Sequence, residues 1–195
     1  MRINLLKRIP LALFTLNFTA CSFVIPTAIP SAADIEKEEQ AIYSFFVGGG
    51  ERTVLILQNT SADISANDPQ KSLDYIRSGL PSLSDEALDN FVQRNQQSGQ
   101  LAPDMELDVD YILLSTEELS EITRQSNWGE VITQKYPGSY GYTLFSRVGF
   151  NNTLDQAVIY VGSMAAPLMG SGFYYLMEKK NGEWVIKEQI MAWIS

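Results

Sequence analysis

The sequence contains no histidine, and its one cysteine is Cys21. Those absences exclude a Ser-His-Asp or Cys-His nucleophile, a His₃ or Cys/His zinc site, an imidazole pH switch and a disulfide within one chain. Positive charge is also scarce: 14 Lys and Arg stand against 23 Asp and Glu, for a formal charge of -9. That sign disfavours a nucleic-acid partner. There is no repeat of solenoid period, no heptad run and no low-complexity tract. Gly162, Gly170 and Gly172 have no phosphate-binding spacing. What remains is a chain of 195 residues, 45% hydrophobic and 19% charged, which suits one globular domain.

The first residues read as an export signal. Arg2, Lys7 and Arg8 precede Ile9 to Ala20, a stretch that is apolar except for Thr15, Asn17 and Thr19. A positive n-region followed by a short apolar h-region is the order of a secretory leader. Two processing sites compete. Phe18-Thr19-Ala20-Cys21 resembles the lipobox of bacterial lipoproteins, with Cys21 acylated as the mature N-terminus. Ser31-Ala32-Ala33 offers the small residues of ordinary cleavage, which would discard Cys21. An uncleaved anchor over residues 9–29 is a third reading, disfavoured by Pro10, Asn17 and Pro26. Residues 1–33 are thus expected to be a signal peptide or lipoprotein leader, and residues 34–195 a single α+β domain. The destination is the periplasm, or a membrane surface through lipid at Cys21.

Helices dominate the first two thirds of that domain. Asp34 is placed to cap a helix reaching Val47, with Ile35, Ile42, Phe45 and Phe46 as its apolar stripe and Gly48-Gly49-Gly50 as its stop. Val54 to Leu57 is a short run suited to a strand buried on both faces. Asp68-Pro69 opens a helix that turns Leu73 and Ile76 inward before Gly79. Ser84 caps the next, stapled by Leu83 and Leu88 and burying Ala87, Leu88, Phe91 and Val92. From Met105 to Leu114 the period changes to two, Met105, Leu107, Val109 and Tyr111 alternating with acids, which predicts a half-buried strand. Capping boxes at Ser115/Glu118 and Asn127/Glu130 then open two helices, the second ending by Tyr136 because Pro137-Gly138 follow.

The last third reads as strands over 142–150, 156–161, 172–179 and 183–194. Asn181-Gly182 is a type I′ hairpin signal. It sets Lys180 opposite Glu183, Glu178 opposite Val185, Met177 opposite Ile186 and Phe173 opposite Ile190. One face then carries Phe173, Tyr175, Met177, Trp184, Ile186 and Ile190, and the other is more polar. The expected fold class is α+β, with N-terminal helices packed on one side of a C-terminal four-stranded antiparallel meander.

The segments Tyr136-Pro137-Gly138, Ser146-Arg147-Val148-Gly149-Phe150, Gln156 to Val161, Gly170 to Leu176, Asn181 to Ile186 and Trp193-Ile194-Ser195 resemble a family of exported bacterial proteins of unknown function. The likeness covers the last third of the chain well and the rest loosely. It implies a bacterial cell-envelope protein and no particular activity. The closing hairpin, with Asn181, Gly182, Trp184 and Ile186, is also similar to the last strands of NTF2-like and cystatin-like domains, whose curved sheet wraps a helix around a pocket.

Candidate sites are few, and neither a cofactor nor a metal is expected. Asp104, Glu106, Asp108 and Asp110 would line one side of a strand; a solvated face explains them better than Ca²⁺. An enzyme would depend on carboxylates, tyrosines or lysine. Arg147 either holds an anion in a half-buried site or lays its stem on the sheet and pairs with an acid, the latter favoured. Tyr160, with Tyr140, Tyr142, Tyr174, Tyr175 and Trp193, is compatible with a lined pocket, although core packing accounts for most of these rings. Leu168 and Met169 lie in an apolar loop that folds back over the core or forms a patch for a partner, the first being preferred. The expectation is a non-catalytic envelope module binding a protein or a small apolar ligand. The alternative is an NTF2-like pocket enzyme using carboxylate and tyrosine chemistry.

Overall fold

The computed structural model describes residues 29–50 and 52–195; Cys21 and most of the expected leader lie outside them. The described residues form five helices and a seven-stranded mixed sheet: α1 (Ala32–Val47), β1 (Val54–Leu57), α2 (Pro69–Gly79), α3 (Asp85–Arg94), β2 (Tyr111–Leu114), α4 (Thr116–Thr123), α5 (Trp128–Lys135), β3 (Tyr142–Phe145), β4 (Gly149–Phe150), β5 (Gln156–Ala166), β6 (Met169–Lys180) and β7 (Glu183–Ile194). The sheet order is β2-β1-β3-β5-β6-β7, with β4 also paired to β5. β1 is parallel to both its neighbours, and the pairs from β3 onward are antiparallel. No helix among the described residues is long and apolar enough to cross a membrane.

Helices cover both faces, which corrects the expected one-sided cover. Alternate strand residues point to opposite sides of a sheet. Ile56, Phe145, Ala157, Ile159 and Met177 meet Ile42, Tyr43 and Val47 of α1, together with Leu101 and Met105. Their neighbours Val158, Tyr160, Tyr174 and Leu176 meet Ile76 of α2 and Leu88 and Phe91 of α3. On that second side Leu55 and Leu114 pack against Ile122 of α4 and Trp128 and Ile132 of α5. The face of β6 expected to be the more polar one therefore carries the buried Tyr174 and Leu176.

Local chemistry explains where the boundaries moved. The Ser31 hydroxyl accepts from the Asp34 amide at 3.2 Å while the Asp34 carboxylate accepts from the Ser31 amide at 3.0 Å, so Ser31 caps α1 and Asp34 completes the box. Phe45, expected inside, is exposed, and Tyr43 takes its place in the core. In α4 the Ser115 cap forms, but the Glu118 side chain is drawn to Lys135 and Tyr136 of α5 and its neighbour. In α5 Asn127 makes no side-chain cap, its amide bonding to Glu130 at 3.2 Å.

Two expected strands are shorter than their patterns. Only Tyr111–Leu114 pairs with β1, which is four residues long and offers no partner to what precedes. The preceding acid-rich segment lies on α1 instead, the amides of Glu106 and Asp108 donating to Gln40 at 2.9 Å and Ser44 at 3.3 Å. Its alternation reports burial, since Met105 is buried and Leu107 and Val109 pack on the same cluster, without reporting a ladder. The acid row is correspondingly not a strand face. The stretch from Tyr142 to Phe150 breaks at Ser146–Val148, where side chains satisfy the backbone: Asn95 holds both the amide and the carbonyl of Arg147 at 2.9 Å, and Glu39 takes the Val148 amide at 2.9 Å.

The closing hairpin forms with Asn181 at φ 54° and Gly182 at φ 89°, both left-handed as a type I′ turn requires. Lys180, Glu178 and Met177 face Glu183, Val185 and Ile186. Beyond them the register shifts as Lys187 bulges out, so Phe173 faces Met191 and Ile190 faces Tyr174. Ile190 thereby moves to the α2 side, and Ile186 is left 40% exposed.

Candidate functional site

Three places deserve comparison: the surroundings of Arg147, the Tyr160 ring, and the β5–β6 turn. Arg147 sits in the break between β3 and β4 and reaches α1. Its Nε and Nη2 donate to Glu39 Oε1 and Oε2 at 2.9 and 2.7 Å, a bidentate fork. Arg94 Nη2 adds a bond to Glu39 Oε2 at 3.1 Å. With the Val148 amide, the buried Glu39 carboxylate accepts four hydrogen bonds. Burial opposes the charge on Arg147, but the Glu39 partnership outweighs it and holds the guanidinium above its ordinary pKa. Arg147 is thus an arginine paired with a nearby acid, tying α1 and α3 to the strand break.

A cleft of about 470 Å³ opens beside this triad, lined by Ile35, Glu36, Tyr43, Leu101 and Met105 among others. Neither Glu39 nor Tyr43 is free to act there. Tyr43 donates to the Ser146 carbonyl at 3.0 Å, and burial raises its pKa well above the usual value. Glu36 also lines the cleft, and its negative charge acts on Arg147 and opposes an anion there.

Tyr160 lies in the core of β5. Its hydroxyl accepts from Trp193 Nε1 at 2.6 Å, and its ring packs 5.2 Å from that of Tyr174. Burial pushes its pKa up to about 12, against the lowering effect of the Trp193 bond. This ring fills space between strands and helices; it does not line the Arg147 cleft.

The β5–β6 turn is different. Ala166 pairs with Met169, leaving Pro167 and Leu168 as the turn. Proline fixes φ near −65°, and Leu168 follows at φ 61°, the pattern of a type II turn, whose third position favours glycine. The register shift between Met164 and Ala166 adapts the strands to a turn whose twist does not match theirs. The segment protrudes, contrary to the expected fold-back: Leu168 is 82% exposed and Met169 62%.

Two further residues join it. Tyr140, 77% exposed, stands two residues before Tyr142, which pairs with Met164, so it is level with Ala166. Gly141 makes this approach possible, since at φ 68° its absent Cβ would strike the Met164 carbonyl. Ile194, 71% exposed, faces Ser171, and the Ser195 amide donates to the Gly170 carbonyl at 3.0 Å. No charged side chain occurs in Tyr136–Ser146, Gln156–Met177 or Gln189–Ser195, although Arg52 borders Tyr140 and Ser163 and the start of α5, with Gly129 and Glu130, lies against Ala165 and Ala166. An acidic protein has here an exposed apolar tip.

No family model, curated protein or solved structure matches the chain. Leu168 and Met169 are legible as candidates from their sequence alone and Tyr140 as one ring of an expected pocket, whereas Ile194 is not, because only strand register brings it to Ser171. Glu39 had a signal that was missed. It lies on the helical stripe of Ile35, Ile42 and Tyr43, where a carboxylate requires partners.

Proposed function

We propose that this chain is an exported cell-envelope protein of a bacterial family without known activity, and that its α+β domain serves as a non-catalytic interaction module. The C-terminal antiparallel strands act as its working meander, the preceding elements support them, and the β5–β6 tip is the docking element. One observation carries this reading: Leu168 is held in a left-handed conformation while its side chain packs on almost nothing. Backbone strain and apolar exposure are both unfavourable in the isolated domain, and an outlier of this kind points to use by a partner.

Processing at Cys21 fits the fold better than cleavage after Ala33. The Ser31–Asp34 box closes the first turn of α1, and a mature chain starting at Asp34 would lose a cap worth about 1 kcal/mol. The mass of the mature N-terminus tests this: a lipidated Cys21 supports it and an unmodified Asp34 refutes it. The pocket-enzyme alternative would need a carboxylate beside a free tyrosine in the Arg147 cleft; Glu36 lines the cleft, but Glu39 is held by Arg147 and the Tyr43 hydroxyl is spent on the Ser146 carbonyl.

The docking role is tested with a photo-crosslinking residue at position 168 in the bacterial envelope, and at exposed Gln97 as control. An adduct specific to position 168 is expected. Equal labelling, or none, at the two positions would contradict the reading.

A further inference from the structure

The β1–α2 loop and the residues after α3 frame a pocket that the β5–β6 tip does not share. It measures about 390 Å³ and is lined by Thr60, Ser61, Asp63, Ser65, Asn95 and Ser98 among others, a size that admits a small molecule. Asp63 supplies the one charge among the lining residues, and it is exposed to solutes. Its carboxylate accepts no hydrogen bond and joins no ion pair among the described residues. The cations of the adjoining segments, Arg94 and Arg147, are both bound to Glu39. Burial raises the pKa of the Asp63 carboxyl, and no positive group offsets that effect. A partly desolvated charge without a counter-charge is unfavourable to the domain.

The local fold does not account for the carboxylate. Asp63 stands at φ 53°, and the Tyr174 hydroxyl donates to the Ala62 and Asp63 carbonyls at 3.0 and 3.1 Å. Asparagine or glycine would meet those backbone demands equally well. The rest of the lining indicates what would complete the charge. Ser61 Oγ accepts from the Asp63 amide at 3.4 Å and Ser65 Oγ from the Asp68 amide at 3.3 Å, which leaves both hydroxyl hydrogens to donate. Ser98 Oγ donates to the Thr60 carbonyl at 2.7 Å, which leaves its lone pairs to accept. Asn95 is the C-cap of α3, so the negative end of that helix borders the pocket and favours positive charge.

We infer that this pocket binds a small hydroxylated primary amine, of the size and chemistry of an amino sugar, with its ammonium on Asp63 and its hydroxyls on Ser61, Ser65 and Ser98. The site is separate from the tip, and neither depends on the other. Asp63 opposes an anion, and an apolar ligand would strand the three hydroxyls. Ca²⁺ requires six to eight oxygen ligands, and no group of three acids able to hold a metal ion occurs among the described residues.

Amide chemical shifts of the protein, purified from cells expressing the full chain and titrated at about pH 6.5, where an amine is charged, test the inference. Glucosamine is the probe, and glucose, which lacks the charge, is its control. The expected result is saturable shifts in residues 60–65 and 95–98, with a dissociation constant of about 1 mM or below. Glucose binding, and glucosamine binding by Asp63→Asn, should each be at least tenfold weaker. No saturation at about 10 mM glucosamine, or saturable shifts confined to other residues, overturns the inference. Less than tenfold discrimination in either comparison also overturns it, equal binding of glucose pointing to a neutral sugar instead. Displacement of glucosamine by an equal concentration of Ca²⁺ would overturn it in favour of a metal ion. If Asp63→Asn fails to fold, the comparison of the two sugars on the unaltered protein still decides.

Discussion

Replacing Leu168 by glycine separates what the tip costs the fold from what it does. At φ 61° an L side chain is held in a region disfavoured by about 1–2 kcal/mol. Glycine relieves that strain but adds freedom to the unfolded chain, returning about 0.5–1 kcal/mol. Little burial is lost, because the leucine is 82% exposed. The net expectation for Leu168→Gly is unchanged stability or a gain of up to about 1 kcal/mol, a rise of roughly 0–4 °C in Tm for a domain of this size. A buried leucine cut back in the same way would instead cost several kcal/mol. Urea titration and thermal melting measure the first quantity, and crosslinking from a neighbouring probe at position 169 measures the second. Unchanged or increased stability with lost crosslinking is the expected pair. A loss of more than about 1 kcal/mol would mean that the side chain is packed, and retained crosslinking would mean that the strain has no functional counterpart.

Other consequences follow from the ion pairs and the carboxylates. Glu39→Gln leaves Arg94 and Arg147 without their counter-charge, so urea unfolding should register a loss of about 3–5 kcal/mol; a loss below about 1 kcal/mol would mean that the triad behaves as a surface pair. The carboxyls of Asp34, Glu118, Asp155 and Glu178 are held below their usual values, chiefly by hydrogen bonds from Ser31, Lys135, Asn151 and Lys187 respectively. The folded state then holds fewer protons than the unfolded chain near their ordinary pKa of about 4. Stability is accordingly present above about pH 5 and declines as pH falls through and below that value. Glu118→Gln should make the decline shallower, and an unaltered pH profile would contradict its share. Asp63 has the opposite sign: burial raises its pKa, so its charge opposes folding above about pH 4. Asn tolerates its φ of 53°, and Asp63→Asn should raise the urea midpoint at pH 7 while leaving it unchanged at pH 3.

Much of the scaffold was legible because it depends on local chemistry. Asp68-Pro69, Ser84 and Ser115 open the helices they were expected to open, and Asn181-Gly182 makes the expected turn. The parallel pairing of β1 was not legible, since four aliphatic residues carry no information about which strands lie beside them. Nor was the second covered face. Tyr174 and Leu176 look unremarkable next to Phe173 and Tyr175 until α2 and α3 are seen to need a surface. The bulge at Lys187 escaped for a similar reason: a long polar side chain fits a regular strand or a bulge equally well. At the candidate site, Leu168 and Met169 stood out by being apolar where a turn is normally polar, but the preference for folding them inward failed. A two-residue turn is too short to carry them back over the sheet.

A docking β5–β6 tip is covered when the protein is at work. Hydroxyl-radical footprinting of Met169, compared between dilute purified protein and the protein in its native envelope, tests it directly, with Phe45 on α1 as an exposed reference. The account predicts fast oxidation of Met169 in dilute solution and marked protection in the envelope, with Phe45 reacting alike in both. Equal oxidation of Met169 in the two settings would contradict it.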